Sequence, residues 1–403
     1  MEERPEPSGE TRFLVASSDN IAQGHLSSMP WERPLLERLA LLKEGTVRVA
    51  YVYERAEPGT FRYRCYNMAQ AINDHSKRYS ASYFFLHDLH SIDSLTDFAD
   101  VLVLVRVRFD ADVDRLIRRF RLESKPVLYD LDDHIFDLEA TPLLVSSLNQ
   151  GLSRYGRIEK WVGVVGRIRH SLERVDGIIT TTQFLADQLR ESFDIPVAVV
   201  PNFLNTEQRV YSETVRSSVP RRVADEPVIG YFSGSASHNR DYQIAEDGLR
   251  AVLEAYPKAR LRIAGYLDVP ESLKPYGNRI DRLPFMDFLQ LQRAIGEVTI
   301  NLSPIQHNVF AHSKSELKYF EAAAAGVITV ASPSPVFVET IRHGTNGFLA
   351  DAASWPEVLL EAVSLSEDER KAMVTGALSH VENHYTGAAV SPRIDKTLAQ
   401  LSS

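Results

Sequence analysis

The sequence predicts two doubly wound α/β domains in series, with a cleft between the ends of their strands. Short apolar segments alternate with helical segments over most of the chain, and a polar stretch near the middle interrupts that alternation. A length of 403 residues is also too great for one ordinary hydrophobic core. Alternating strands and helices form parallel sheets with right-handed crossovers. Ligands of such sheets lie beyond the carboxyl ends of the strands.

The composition limits the classes of function. A hydrophobic content of 44% and a charged content of 25% are those of a soluble globular protein. The net charge of −9 argues against a nucleic-acid partner. Cys65 is the one cysteine, which excludes an intramolecular disulfide and fits a reducing cytoplasm. Since no apolar run approaches the ~20 residues needed to cross a bilayer, we expect a cytoplasmic protein.

Residues 1–45 are predicted to form an N-terminal extension. Its first ten residues are polar and acidic, typical of a disordered tail. The spacing of leucines within residues 31–43 predicts a packed helix.

Six apolar segments predict the strands of an N-terminal domain, residues 46–210. They are residues 47–53, 83–86, 101–105, 127–131, 177–181 and 197–200. The loops at 54–64, 106–110, 130–138 and 182–184 follow these strands and are therefore expected at the ligand-binding edge.

Residues 211–226 are predicted to link the domains, because residues 205–226 hold few apolar side chains and several breakers. A second series of strands and helices then predicts a C-terminal domain, residues 227–385, followed by a tail or helix at 386–403. Its predicted strands are residues 228–232, 261–264, 280–283, 298–302 and 327–331.

One helix of the second domain has a start suited to a phosphate. Residues 315–325 are predicted to form a helix with Ser313 or Ser315 as N-cap and Glu316 in its first turn, ended by Gly326. Free backbone N–H groups at such a start favour an anion. An ordinary strand–helix unit has the same pattern, so this segment alone does not decide the function.

Several segments between about residues 47 and 385 resemble the GT-B glycosyltransferases, specifically the retaining, GT4-like group. Glu321-Ala-Ala-Ala-Ala-Gly-Val-Ile-Thr-Val-Ala-Ser332 resembles the second half of the family's Glu-x7-Glu signature. Further similar segments are Glu57-Pro-Gly-Thr60, Lys125-Pro-Val-Leu-Tyr-Asp-Leu-Asp-Asp133, residues 179–189, Val199-Val-Pro-Asn202 and residues 335–349. A bacterial polysaccharide-building subgroup shares the Ser-Lys-Ser-Glu-Leu-Lys-Tyr-x-Glu version. The resemblance implies a donor site on the C-terminal domain and an acceptor site on the N-terminal domain.

Three positions depart from the family pattern. Ser313 stands where the first Glu of the signature belongs, and Asp132 replaces the usual His before Asp133. His238 and Arg240 stand near the place of the usual Arg and Lys after the first strand of the second domain.

The resemblance implies the donor contacts. Glu321 is expected to accept hydrogen bonds from the nucleotide ribose. Lys314 is expected to hold the diphosphate together with Ser313, Ser315 and the helix start at Glu316. Lys318 is expected to be either a second phosphate contact or a solvated surface residue.

The loop after the first strand of the second domain supplies further donor candidates. Gly234 and Ser235 allow the backbone to approach a phosphate or sugar closely, and His238 lies in the same loop. Arg240 can bind two diphosphate oxygens and stabilise the leaving charge. A surface salt bridge is the alternative for Arg240.

Carboxylates and arginines mark the N-terminal side of the predicted cleft. Asp132 is expected to contact the sugar or the acceptor hydroxyl, and in an inverting enzyme Asp132 or Asp133 would be the general base. A metal site at residues 130–133 is disfavoured, because the donor of a GT-B protein lies in the other domain. After Gly59, either Arg62 or Arg64 is expected to meet a phosphate, and the other to face solvent.

Two basic segments, residues 115–125 and 154–174, fit an anionic membrane surface or a lipid-diphosphate acceptor. Amphipathic helices that pack on their own sheet are an equally good interpretation.

These patterns predict a retaining, metal-independent glycosyltransferase that moves a sugar from a nucleoside-diphosphate donor to a glycan or lipid-linked glycan in cell-surface polysaccharide biosynthesis. Asp132, Arg240 and Lys314 are the predicted catalytic residues, and no cofactor is expected. A sugar-nucleotide epimerase of the same fold and a catalytically silent binding subunit are the alternatives.

Overall fold

A computed structural model describes most of the chain. The described residues are 28–43, 45–91, 95–148, 155–219, 225–233, 239–265 and 267–402, together with Ile21, Gly24 and Leu26. Gly234, Ser235 and His238, which the sequence predicts to contact the donor, lie outside the described residues.

Six parallel strands form the first sheet. They are β1 (Val47–Tyr53), β2 (Tyr79–Phe85), β3 (Val101–Val105), β4 (Val127–Leu131), β5 (Gly177–Thr180) and β6 (Val197–Val199). Their order in the sheet is β2-β1-β3-β4-β5-β6, with Val52 of β1 opposite Leu104 of β3. β2 begins four residues before its predicted start at residue 83, because buried Ser80 fits the strand by donating its hydroxyl to the Leu42 carbonyl at 2.8 Å.

The second sheet has the same number of strands, also all parallel. They are β7 (Val228–Phe232), β8 (Arg260–Ala264), β9 (Ile280–Leu283), β10 (Ile300–Ser303), β11 (Ile328–Ala331) and β12 (Phe348–Leu349). Their order is β12-β11-β10-β7-β8-β9. The predicted pair of α/β domains, with the doubly wound sheets of the GT-B fold, is therefore confirmed.

Helices cover the faces of both sheets. Those of the first half are α1 (Leu35–Ala40), α2 (Asn67–His75), α3 (Ala111–Leu122), α4 (Thr141–Ser147), α5 (Tyr155–Leu172), α6 (Gln183–Ser192) and α7 (Thr206–Ser218). Those of the second half are α8 (Asn239–Gln243), α9 (Glu246–Ala255), α10 (Phe288–Gly296), α11 (Val309–His312), α12 (Leu317–Ala324), α13 (Pro335–Thr340), α14 (Trp355–Ser364), α15 (Glu367–His384) and α16 (Gly387–Leu401). No helix in the described ranges is both long and apolar enough to cross a membrane.

The order of the strands locates the ligand-binding edges. The direction of chain progression reverses between β1 and β3 in the first sheet and between β7 and β10 in the second. Crevices at the carboxyl ends of such strand pairs are the usual ligand sites of doubly wound sheets. The loops after β1, β3, β7 and β10 are therefore the expected ligand-binding loops.

The segment predicted as a linker contains a helix. The Asn205 side chain caps α7 by accepting from the Gln208 N–H at 2.7 Å, and Tyr211 and Val215 are buried one turn apart. The other side chains of α7 are mostly polar, so composition alone resembles a connecting loop. The boundaries 46–210, 211–226 and 227–385 stay predictions.

Both ends of the chain tie the domains together. Trp31 precedes α1 and packs on Tyr66 of the first domain and Phe288 of the second, with ring centroids 5.5 and 5.8 Å apart. The last helix, α16, returns to the first domain, where Ser76 donates its hydroxyl to Asp395 at 3.0 Å.

Candidate functional site

A cavity of about 630 Å³ lies between the two domains, a size typical of small-molecule sites. The loops after β1 and β4 line it from the first domain, and the ends of β7 and β10 line it from the second. Helix α12 and the segment before it complete the wall. Of the predicted site residues, the cavity is lined by Gly59, Arg62, Asp132, Asp133, Lys314, Ser315 and Glu321.

Two lysines stand on the C-terminal wall. The Lys314 ammonium lies 3.0 Å from Asp241 Oδ2, and Asp241 also accepts from the Gln306 side chain at 2.9 Å. The Lys318 ammonium lies 4.0 Å from the Tyr231 ring centroid and makes no ion pair with a described residue. Burial lowers the pKa of Lys318 to about 8. An anion in the cavity would supply the missing partner, which favours the phosphate interpretation of Lys318 over the solvated one.

Glu321 stands one turn beyond Lys318 and is 4% exposed. Its Oε1 accepts from the Tyr63 hydroxyl, from Gln208 Nε2 at 3.2 Å and from Arg62 Nη2 at 3.4 Å. Glu321 therefore contacts the first domain as well as the cavity, a connection that was not predicted from the sequence.

An arginine that was not predicted from the sequence organises the N-terminal wall. Arg106 follows β3 and donates to the Thr60 hydroxyl at 2.8 Å and to Asp132 Oδ1 at 3.2 Å. Thr60 in turn donates to Asp132 Oδ2 at 2.8 Å. Arg106 has a φ of 48°, a sparsely populated conformation that often occurs at functional sites. The sequence indicated Arg106 only through its place in the loop 106–110, which was expected at the ligand-binding edge.

The neighbouring carboxylate is less constrained. Asp133 lines the cavity, and its nearest ion-pair partner is Arg106 at 3.9 Å. Burial raises the pKa of Asp133 to about 6 against the attraction of Arg106. Burial by itself lowers the pKa of Arg106, but Asp132 and Asp133 outweigh it and raise that pKa above its usual value. The wall thus carries a fixed carboxylate, Asp132, beside a more loosely held one.

Arg64 has a structural position instead of the predicted phosphate contact or solvent exposure. It is fully buried, binds both oxygens of Asp130 at 2.8 Å and donates to the Val200 carbonyl at 2.8 Å. The pair joins the ends of β4 and β6 in the domain interior. Arg62 is also buried, so the expectation that one of these arginines faces solvent was wrong.

The carboxylates of residues 130–133 do not converge, since Asp130 is held by Arg64. Among the described residues, no three His, Cys, Asp or Glu side chains are placed to hold a metal ion. Metal independence stays a prediction.

Ser313, Glu316 and Arg240 do not line the cavity. Ser313 is the C-cap residue of α11 and donates its hydroxyl to the Val309 carbonyl four residues earlier at 2.8 Å. Arg240 is exposed and donates to Ser146 of the first domain at 2.7 Å. The structure therefore does not place these three predicted donor residues in contact with a ligand in this cavity.

Glu316 is the N-cap residue of α12, so the prediction of Ser313 or Ser315 as the cap was wrong. Its carboxyl group is buried near Tyr385, and burial raises its pKa to about 7. The Ser315 hydroxyl lines the cavity and accepts from Asn202 of the first domain at 2.9 Å.

An apolar wall completes the cavity, and it was also not predicted. Residues from the end of β9 and from α10 form it: Pro284, Phe285, Met286, Phe288, Leu291 and Ile295. A flat ring such as a nucleobase can pack against such a surface.

Comparisons with known proteins give a family match for part of the chain and a similar fold for most of it. Residues 226–368 match the family model described as Glycosyl transferases group 1. No curated protein sequence matches the chain. The fold is similar to that of Anabaena Alr3699/HepE in complex with UDP and glucose, with a TM-score of 0.56, 14% identity, and 87% of this chain and 99% of that one covered.

Two further solved structures have a similar fold. For the sucrose-phosphate synthase of Thermosynechococcus elongatus the TM-score is 0.54 at 14% identity, with 88% of this chain and 98% of that one covered. For S. aureus TarM, crystallised as a mutant with fondaparinux, alpha-GlcNAc-glycerol and UDP, the TM-score is 0.51 at 12% identity, with 79% of this chain covered. The chain spans only 58% of the length of TarM.

Proposed function

We propose that the whole protein moves a sugar from a nucleoside diphosphate to a hydroxyl group of a glycan or lipid-linked glycan, and the match of residues 226–368 to the model of the group 1 glycosyl transferases supports this. One observation carries this proposal. A single cavity has lysines and Glu321 on one wall and hydrogen-bonded carboxylates on the other, at the carboxyl ends of both sheets.

The second domain binds the donor. The apolar wall packs against the base, and Glu321 accepts hydrogen bonds from the ribose. Lys314 and Lys318 lie between Glu321 and the N-terminal wall's carboxylates and hold the diphosphate. The charge of the two lysines stabilises the diphosphate as its bond to the sugar breaks. The sequence predicts this role for Arg240 instead. The fold's likeness to HepE and TarM structures that contain UDP supports a uridine diphosphate sugar as the donor.

The first domain binds the acceptor. Asp132 and Thr60 offer oriented oxygens to hydroxyl groups of the sugar or acceptor, and Arg106 fixes both of them. The enclosed cavity excludes water and holds the acceptor oxygen near the anomeric carbon. We propose transfer with retention and without a metal ion, in which a donor phosphate oxygen takes the proton of the acceptor hydroxyl.

We further propose a cytoplasmic protein that touches an anionic membrane while it builds cell-surface polysaccharide. Leu143 of α4 and Val162 of α5 are exposed, and α5 also carries exposed Arg157 and Lys160, which supports this proposal. An apolar patch with basic neighbours is suited to anionic lipid headgroups. Flotation with phosphatidylserine vesicles but not with phosphatidylcholine vesicles is the expected result.

The test is release of nucleoside diphosphate from UDP-glucose, UDP-N-acetylglucosamine and other nucleotide sugars. Release that increases with added glycan acceptor is expected for a transferase. Interconversion of hexoses without release would indicate the epimerase. Binding of UDP without turnover on any acceptor would indicate the silent subunit.

A further inference from the structure

We propose that Arg62, Tyr63 and Gln208 position the Glu321 carboxylate for the nucleotide, so that the first domain takes part in binding the donor. This role rests on the proposed function, because it assigns Glu321 to the nucleotide. The resemblance alone places the donor on the C-terminal domain.

The two carboxylate oxygens of Glu321 differ in the number of hydrogen bonds that they accept. Three donors converge on Oε1: the Tyr63 hydroxyl, Gln208 Nε2 at 3.2 Å and Arg62 Nη2 at 3.4 Å. Oε2 accepts from no described residue. A carboxylate oxygen in a cavity wall is a natural acceptor for a ribose hydroxyl. Fixing Oε1 leaves Oε2 as the oxygen available to the ligand.

The donors themselves are held in place. Arg62 and Tyr63 are both 4% exposed and belong to the π-helical turn Arg62–Tyr66, a kind of turn that is frequent at functional sites. The Arg62 guanidinium carbon lies 4.1 Å from the Tyr63 ring centroid, and Arg62 Nε donates to the Pro58 carbonyl at 2.8 Å. Gln208 belongs to α7, which joins the two domains. Packing therefore restricts the orientation in which Glu321 meets a ligand.

Arg62 also has an unused donor. Its Nη1 is enclosed and makes no hydrogen bond with any described residue, although Arg62 lines the cavity. Burying an N–H group without an acceptor is unfavourable, and most such groups have a partner. A turn of the Arg62 side chain toward the cavity would let an oxygen of the bound donor supply that acceptor. Arg62 then touches the nucleotide directly, while Tyr63 and Gln208 act through Glu321.

The test removes one hydroxyl group. The protein is titrated with UDP, GDP and ADP, and the tightest ligand is used throughout. Tyr63→Phe is expected to raise its Kd about five- to tenfold, less than the loss of a direct hydrogen bond to a charged group, because Tyr63 acts on the ligand through Glu321. The matched control is Tyr129→Phe, which removes a hydroxyl that donates to the Val107 carbonyl at 2.9 Å inside the same domain. The control is expected to bind as the wild type does.

A double-mutant cycle separates positioning from a general structural effect. In a Glu321→Ala background, adding Tyr63→Phe should change the Kd by less than about twofold, because its partner is gone. An equal loss in both backgrounds, or a Tyr63→Phe variant that binds as tightly as the wild type or more tightly, would overturn the positioning role while leaving the proposed function intact. A wild-type protein that binds none of the three nucleotides would overturn both.

Discussion

The two walls of the cleft hold their charged groups in opposite ways. On the N-terminal wall, Arg106 contacts Asp132, and behind it Arg64 binds both oxygens of Asp130. On the C-terminal wall, Lys318 lies over the Tyr231 ring and makes no ion pair with a described residue. Asp130 and Asp132 of the first domain therefore have cationic partners, and Asp132 is suited to orienting hydroxyl groups. The C-terminal wall holds a charge whose burial is unfavourable until an anion binds.

The largest expected effect tests the buried ion pair between Arg64 and Asp130. Arg64→Met leaves Asp130 buried without its partner, so we expect the free energy of unfolding to fall by about 3–5 kcal/mol. Denaturant unfolding measures this change. The matched control is Arg48→Met, because Arg48 also binds both oxygens of a carboxylate, that of Asp100, but the two side chains are each 31% exposed. A loss below about 1 kcal/mol is expected for that exposed pair. Equal losses in the two variants would contradict the structural role of Arg64.

The next largest expected effect tests the C-terminal wall, where Lys318 makes no ion pair with a described residue. Lys318→Met removes a partly buried charge that pairs with no carboxylate among the described residues, so stability should not decrease. Affinity for UDP should fall about 10- to 100-fold, as expected for the loss of a charged contact. Titration calorimetry measures the affinity for UDP. The matched control is Lys258→Met, because Lys258 is an exposed lysine that pairs with Glu226 at 2.8 Å. An unchanged affinity in Lys318→Met would remove this lysine from the diphosphate site.

The fold was predictable from sequence because it depends on local patterns. Short β-branched runs such as Val101–Val105 are buried on both faces of a parallel sheet, so periodicity and composition identify them. Helix α7 was missed because only one stripe of it is apolar. Some of its polar residues have hydrogen-bond partners far away in the chain, as Glu207 does with Gln70 at 3.0 Å.

The site was only partly predictable because its contacts join residues far apart in the chain. Glu321 and Lys314 belong to a recognisable motif, and the structure brings both to the cavity. Arg64 and Arg62 are two residues apart in sequence, yet one binds Asp130 and the other reaches Glu321. No local pattern distinguishes these partners.

The pH dependence of binding sharpens the contrast between the walls. Burial lowers the pKa of Lys318 to about 8, so its ammonium group is charged below that pH. A bound diphosphate raises that pKa, so between the two values binding requires uptake of a proton. Affinity for UDP should therefore change little between about pH 7 and pH 8 and fall with rising pH above pH 8, by up to about tenfold per unit. Titrations from pH 6.5 to 9.5 measure this. The decline should vanish in Lys318→Met, and a decline that persists there would assign it to another group.

The smallest expected effect concerns Asp133, the more loosely held carboxylate of the N-terminal wall. Its pKa is about 6, so it is ionised at neutral pH and protonated below pH 6. With retention, a donor phosphate oxygen takes the acceptor proton, so we expect Asp133→Asn to lower kcat less than about threefold. A general base would be worth about 10²–10⁴-fold. Measured kcat, with the anomeric configuration of the product read by NMR, separates these outcomes. A loss of that larger size together with an inverted product would make Asp133 the base, and the N-terminal wall would then perform proton transfer as well as orient hydroxyl groups.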